Sequence, residues 1–257
     1  MKSLKTIVIV ALSLVVVLAF SLPLKKKITV YLIGDSTMCE YEANRSPLTG
    51  WGMPFKYFFD NTVVIENKAK GGRSTKTFIS ENRWQPIEDH LQEGDYVLIQ
   101  FGHNDESKGD AYKDRYTPIP EYKTNLIKFI TATKAKKAIP VLITPVTRMY
   151  FDKEGNIKET HIGYSSAVFE VGKEYNVPVI DLDKKSRDLL QQLGVAKSKM
   201  LYMQLDSLQH PNYPGGKKDN THFNDYGAQK IALLVIEEIK NLKLELAERI
   251  VSNQSKN

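Results

Sequence analysis

Ser36, Asp219 and His222 are the residue types from which a nucleophilic acyl-transfer site is built. A serine hydroxyl is a weak nucleophile at its own pKa and needs a base within hydrogen-bond reach. Histidine supplies that base near neutral pH. The ring in turn needs a carboxylate that fixes its tautomer and stabilises the imidazolium. Asp219 and His222 stand three residues apart, and this spacing lets the carboxylate reach the ring from a loop entering the last helix. Ser36 lies far upstream, so the fold must close the triad. Acyl transfer also needs donors aimed at a developing oxyanion. The candidates are the backbone N–H of Ser36, the backbone N–H of Gly72, where glycine permits close approach, and the side-chain amide of Asn104. Taken singly, each has a structural alternative: Ser36 as a helix cap, Gly72 as a turn residue, Asn104 as a capping or turn side chain.

The elements that must position these residues alternate in type. Short apolar, β-rich runs span Ile28 to Ile33, Thr62 to Glu66, Tyr96 to Phe101, Ile139 to Thr144 and Val177 to Leu182. Near-continuous apolar strands suit a sheet buried on both faces. Helical stretches lie at Pro54 to Phe59, Pro86 to Leu91, Pro120 to Lys137, Ser165 to Tyr175 and Asn224 to about Ile250. This order predicts parallel βαβ units in a three-layer α/β/α sandwich around a parallel sheet of about five strands. One domain is expected over 28–250. Ligands of such sheets bind beyond the carboxyl ends of the strands. There the first three strands are followed by Gly34-Asp35-Ser36-Thr37-Met38, by Gly71-Gly72-Arg73-Ser74 and by Gly102-His103-Asn104-Asp105, and Asp219-Asn220-Thr221-His222 precedes the last helix.

These four blocks, in this order, resemble the SGNH (GDSL) hydrolase superfamily, whose name records Ser, Gly, Asn and His. The resemblance implies a flavodoxin-like SGNH hydrolase fold, with Ser36, Asp219 and His222 as catalytic residues and Ser36, Gly72 and Asn104 as the oxyanion hole. The residues around them are similar to the rhamnogalacturonan acetylesterase branch, which implies removal of acetyl groups from pectic rhamnogalacturonan or a related polysaccharide. The expected partner is therefore an acetylated polysaccharide or oligosaccharide. Arg73 and His103, inside two of the blocks, are candidate substrate-binding residues. Arg148, Tyr150 and His161 flank a polar insertion after the fourth strand, and they are expected to line a sugar groove. A lipase- or thioesterase-type hydrolase, or a non-catalytic carbohydrate-binding surface protein, remains an alternative on the same fold.

Other chemistries find little support. There is no His-Glu-x-x-His motif, no cysteine–histidine cluster and no phosphate-binding loop, so no metal or cofactor is expected. Gly-x-Ser-x-Gly is absent around Ser36, unlike the standard α/β-hydrolase arrangement. Cys39 is the only cysteine, which rules out an internal disulfide, and it reads as a small structural hydrophobe. The formal net charge is +6, but the lysines are scattered and lack interleaved aromatics, so no nucleic-acid partner is expected. Lys2 and Lys5 before the apolar run from Ile7 to Phe20 read as a signal peptide over 1–21, with an uncleaved anchor over 7–24 as the alternative. Removing the two lysines lowers the charge from +6 by two, to +4. The expected location is periplasmic or extracellular, in a bacterium, with no stable membrane partner unless the leader is retained.

Overall fold

The computed structural model describes residues 25–251. The expected signal peptide and its anchor alternative lie outside the described residues. Five parallel strands form the main sheet: β1 (Ile28–Gly34), β2 (Val63–Asn67), β3 (Tyr96–Gln100), β4 (Ile139–Ile143) and β5 (Val179–Ile180), in the order β2-β1-β3-β4-β5. Among the described residues, seven α-helices accompany them: α1 (Gly52–Phe55), α2 (Thr75–Ser80), α3 (Gln85–His90), α4 (Ile119–Ala135), α5 (Tyr164–Glu174), α6 (Leu182–Ser198) and α7 (Asp225–Asn241). A two-stranded antiparallel hairpin, β6 (Tyr202–Leu205) and β7 (Lys217–Phe223), precedes α7.

The three layers follow from strand alternation. Successive side chains of a strand face opposite sides. Val30 and Leu32, Tyr96 and Leu98, and Val141 and Ile143 therefore point to one face, where they pack with α1, α6 and α7. Tyr31 and Ile33, Val97 and Ile99, and Leu142 point to the other, under α2 to α5. Both faces are covered, which explains why these strands lack polar alternation. The amphipathic helices bury one stripe each. In α4 the buried residues are Tyr122, Leu126, Phe129, Ile130 and Thr133, and in α7 they include Ile231, Val235 and Ile239. These repeats at three and four residues match one helical face.

The chain leaves β1 for β2 on one side and returns to β3 on the other. The order reverses there, so a crevice opens beyond the carboxyl ends of β1 and β3. Ser36 follows β1 and Asn104 follows β3.

The architecture matches the expected three-layer sandwich, with local differences. Helices α2 (Thr75–Ser80) and α6 (Leu182–Ser198) lie outside the helical stretches expected from the sequence. The fifth strand is only two residues long, because the Asp181 side chain accepts from the Lys184 amide (3.1 Å) and starts α6 at Leu182. The last helix stops at Asn241, and Lys243 adopts φ 52° before a 3₁₀ turn over Glu245–Arg249. The hairpin of β6 and β7 lies outside every element expected from the sequence.

Gly227 starts α7 against the backbone of Leu201. A Cβ there would stand 1.8 Å from the Leu201 carbonyl oxygen. Helix propensity alone favours alanine by about 1 kcal/mol. Gly227→Ala is nevertheless expected to destabilise the protein by roughly 1–3 kcal/mol, through the overlap. A denaturant midpoint equal to or above wild type would contradict this contact.

Candidate active site

Ser36 sits in a tight turn that begins as β1 ends. The Met38 and Cys39 amides donate to the Asp35 carbonyl at 3.3 and 3.1 Å. Asp35 is fully buried, and its Oδ1 accepts from the Thr37 amide (2.9 Å) and hydroxyl (2.8 Å). Thr37 Oγ1 accepts from Gln100 Nε2 (2.8 Å), and Gln100 Oε1 accepts from Trp51 Nε1 (2.7 Å). The Tyr41 hydroxyl donates to the Ser36 carbonyl at 2.8 Å. The turn is thus fixed from below by a buried polar chain and from the side by a phenol. Burial pushes the Asp35 carboxyl up, against the lowering effect of its Thr37 bonds. Burial also pushes the Cys39 thiol up to about 11. That suppresses its thiolate and agrees with a structural role.

The partners of Ser36 come from β7. Ser36 Oγ lies 2.9 Å from His222 Nε2, and His222 Nδ1 lies 2.9 Å from Asp219 Oδ2. A carboxylate can only accept, so Nδ1 carries the proton and Nε2 accepts from the serine hydroxyl. Asp219 Oδ1 also accepts from the Thr221 and His222 amides at 2.9 and 3.0 Å. Burial acts to raise the Asp219 carboxyl, but the His222 ring and the two amides outweigh it and hold it at about 2.

The strand placement corrects the expected loop. In a regular strand, residues three apart face opposite sides. Here Tyr202 pairs with Phe223 but Gln204 pairs with Lys218, so β7 carries extra residues over Asp219–His222. This bulge turns both side chains the same way, as bulges beside functional sites do. Asn220, at its centre, is held by the Met149 amide to its carbonyl (2.8 Å) and by Gln204 Nε2 to its Oδ1 (2.6 Å).

The loops after β2 and β3 complete the rim. Gly72 takes φ 79°, a left-handed conformation that glycine adopts without strain. Among the described residues, neither the Ser36 nor the Gly72 amide donates to another group. Asn104 uses Nδ2 to donate to the Arg73 carbonyl at 2.9 Å, which ties the two loops together and leaves its second amide hydrogen. Asp105 behind it accepts from the Thr75 amide (2.9 Å) and hydroxyl (2.6 Å) at the start of α2. Burial pushes the Asp105 carboxyl up to about 7.

The residues expected to bind substrate divide. Arg73 donates to the Gly71 carbonyl (2.8 Å) and pairs with Glu81 (3.0 Å), so it braces the glycine turn. Tyr150, 46% exposed, lines an open groove with Arg148, Lys108 and Ile162. His161 is 0% exposed and His103 only 4%, so neither lines a groove. His161 instead bonds Glu106 (3.0 Å) and the Val146 carbonyl (2.9 Å), while Arg148 pairs with Glu106. The two histidine rings meet edge to face at 4.4 Å. Burial, followed by the charges of His161 and Arg148, pushes the His103 ring well down toward its neutral form. Sequence reasoning missed Glu106, whose partner His161 is 55 residues away, and Tyr41, which no spacing links to Ser36. Among the described residues, no group of three or more His, Cys, Asp or Glu side chains is placed to hold a metal ion.

Comparison with known proteins gives a consistent picture. The model of the GDSL-like lipase/acylhydrolase family matches residues 32–230. Rhamnogalacturonan acetylesterase RhgT of Bacillus subtilis is 42% identical over 234 residues, covering 91% of this chain and 98% of that protein. The crystal structure of the Bacillus subtilis protein YxiM superposes with a TM-score of 0.74 at 27% identity, covering 86% of this chain and 58% of that longer one. An acetylxylan esterase from Geobacillus stearothermophilus shares the fold, with a TM-score of 0.59 at 18% identity over 83% of this chain and 94% of that chain.

The depressed Asp219 carboxyl has a consequence for stability. A group whose pKa falls on folding stabilises above its unfolded value and loses that contribution as pH drops through its folded value. Asp219 therefore contributes fully above about pH 4, and up to about 2 kcal/mol is lost as pH falls toward 2. Urea midpoints of wild type and Asp219→Asn should converge over that acidic range. Parallel curves would show that the carboxylate–imidazole pair does not carry the effect.

Proposed function

This chain belongs to the GDSL-like lipase/acylhydrolase family, and from that membership we propose that it is a serine esterase removing O-acetyl groups from a plant cell-wall polysaccharide, with pectic rhamnogalacturonan as the substrate. The observation that carries the reading is the unbroken hydrogen-bonded chain from Asp219 through His222 to Ser36, with both links at 2.9 Å. The likeness to an enzyme named for rhamnogalacturonan, over nearly its whole length, supports the polymer.

In the proposed reaction, Ser36 Oγ attacks the acetyl carbonyl carbon as His222 Nε2 takes its proton. The Ser36 and Gly72 amides and the free Asn104 amide hydrogen receive the oxyanion. The intermediate collapses, the sugar oxygen leaves with the proton from His222, and Ser36 retains the acetyl group. Water then attacks the acetyl-serine, gives its proton to His222 and releases acetate, and the proton returns to Ser36. Asp219 stabilises the imidazolium in both halves. An export leader over 1–21 fits a polymer that stays outside the cell.

Ser36→Ala is expected to reduce acetate release from acetylated rhamnogalacturonan to background while leaving the thermal midpoint near wild type. Near wild-type turnover would refute the nucleophile. Asn104→Ala should lower kcat by roughly 10²–10³ if its amide is one oxyanion donor. Running acetylated xylan and a long-chain ester beside the pectic polymer tests the substrate. A preference for the long-chain ester would overturn the carbohydrate assignment.

A further inference from the structure

Arg115 lies beside the proposed oxyanion loop and, among the described residues, has no hydrogen-bond or ion-pair partner for its side chain. A Cβ built on Gly72 would stand 3.8 Å from its Nη1, so the guanidinium borders the glycine proposed above as an oxyanion donor. Its Nε is buried and bonded to nothing. Among the described residues, its side chain makes no hydrogen bond and no ion pair, and Asp110 and Asp114 of the same loop leave it unpaired. The guanidinium lies 4.3 Å over the Tyr112 ring, which fixes its plane.

The loop that carries it is firmly held. The Arg115 amide donates to the Tyr112 carbonyl (3.0 Å), and the Thr117 amide donates to the Asp105 carbonyl (2.9 Å). The Tyr164 hydroxyl donates to the Thr117 carbonyl at 2.8 Å. Arg115 is therefore braced from the same Asp105 that anchors the Asn104 loop. A buried N–H left without an acceptor, as at Arg115 Nε, costs free energy that an anion at the fork would offset. The planar fork matches a carboxylate in particular.

Resting on the acetylesterase reading, we propose that Arg115 is a specificity-determining residue that binds a uronate carboxylate of the substrate next to the acetyl group being removed. Tyr112 holds the guanidinium flat for that contact, and the stem of the sugar ring spans from Arg115 to the Gly72 amide. A neutral acetylated sugar would lack this contact while still reaching Ser36.

The test compares an acetylated, uronate-containing rhamnogalacturonan oligosaccharide with its carboxyl-reduced form. Wild type should prefer the uronate form by roughly 10- to 100-fold in kcat/KM, mostly through KM, the range of a hydrogen bond to a charged group. Arg115→Gln should erase that preference, and Arg115→Lys should restore part of it. Equal losses on both substrates, or a preference unchanged by the substitution, would overturn the proposal while leaving the esterase reading intact. No acetate release from either substrate by wild type would overturn the esterase reading, and this proposal with it. If Arg115→Gln does not fold, salt on wild type serves instead: the uronate preference should shrink as ionic strength rises, and a salt-independent preference would count against Arg115.

Discussion

The site depends on one short bridge of backbone. Ser36 and His222 are 186 residues apart, and they meet where the segment around Gly50 joins the Ser36 turn to the end of β7. The Thr49 amide donates to the Phe223 carbonyl (3.0 Å), directly after His222. The Trp51 and Gly52 amides donate to the Thr37 and Met38 carbonyls (2.9 and 3.1 Å), inside the Ser36 turn. The same few residues therefore grip the Ser36 turn and the end of β7 beside His222. Such a grip demands close approach. A Cβ on Gly50 would fall 2.0 Å from the Cys39 carbonyl oxygen, and one on Gly52 would fall 2.6 Å from that of Met38. Only glycine lets the strap lie flat on the turn.

The remaining loops are held by polar groups set into the interior. Asp35, Asp105 and the pair of Glu106 and His161 each join the end of a strand to a neighbouring segment. A buried polar network that is satisfied rigidifies its surroundings. Satisfaction is incomplete here: Asp35 Oδ2, Asp105 Oδ2 and both nitrogens of His103 have no partner. Burial moves each of these groups toward its neutral form, which lessens the cost of an unfilled bond. The outcome is an electrostatic contrast. Asp35, His103 and Asp105 are driven toward neutrality, while, against burial, Glu106 is held ionised by His161 and Arg148 and Asp219 by His222. Glu106 directs its charge to Arg148 and His161, and Asp219 places its own at His222 Nδ1.

The parts legible in the sequence share a physical reason. β1, β3 and β4 are buried on both faces, so their apolar runs are continuous, and their ends are marked by the glycine and polar residues that form the crevice. Three of the four motif blocks follow β1, β2 and β3, and the fourth lies in β7. What was hidden relies on partners far away in sequence. β7 reads Lys-Lys-Asp-Asn-Thr-His-Phe, with almost no apolar pattern, because it is held by a hairpin and by bonds to Asn220 rather than by a buried face. The bulge that aims Asp219 and His222 is a property of its pairing with β6, and spacing alone cannot report it. His161 looks like a loop histidine because nothing nearby reveals Glu106 or the Val146 carbonyl.

Arginine placement around the crevice sharpens the same point. Arg73 and Arg148 are both spoken for: the first grips Gly71 and Glu81, the second Glu106. Their guanidinium groups brace loops, so their charges are neutralised within the protein. Arg115 has the stacking ring but not the anion. Arginines that serve the fold acquire carboxylates or carbonyls within the chain, since a planar fork loses little freedom per bond formed. A half-buried guanidinium left without an anion beside the Gly72 turn is the opposite arrangement. The loop beneath it is tied at Thr117, and that rigidity is what a preformed contact to an anionic ligand requires.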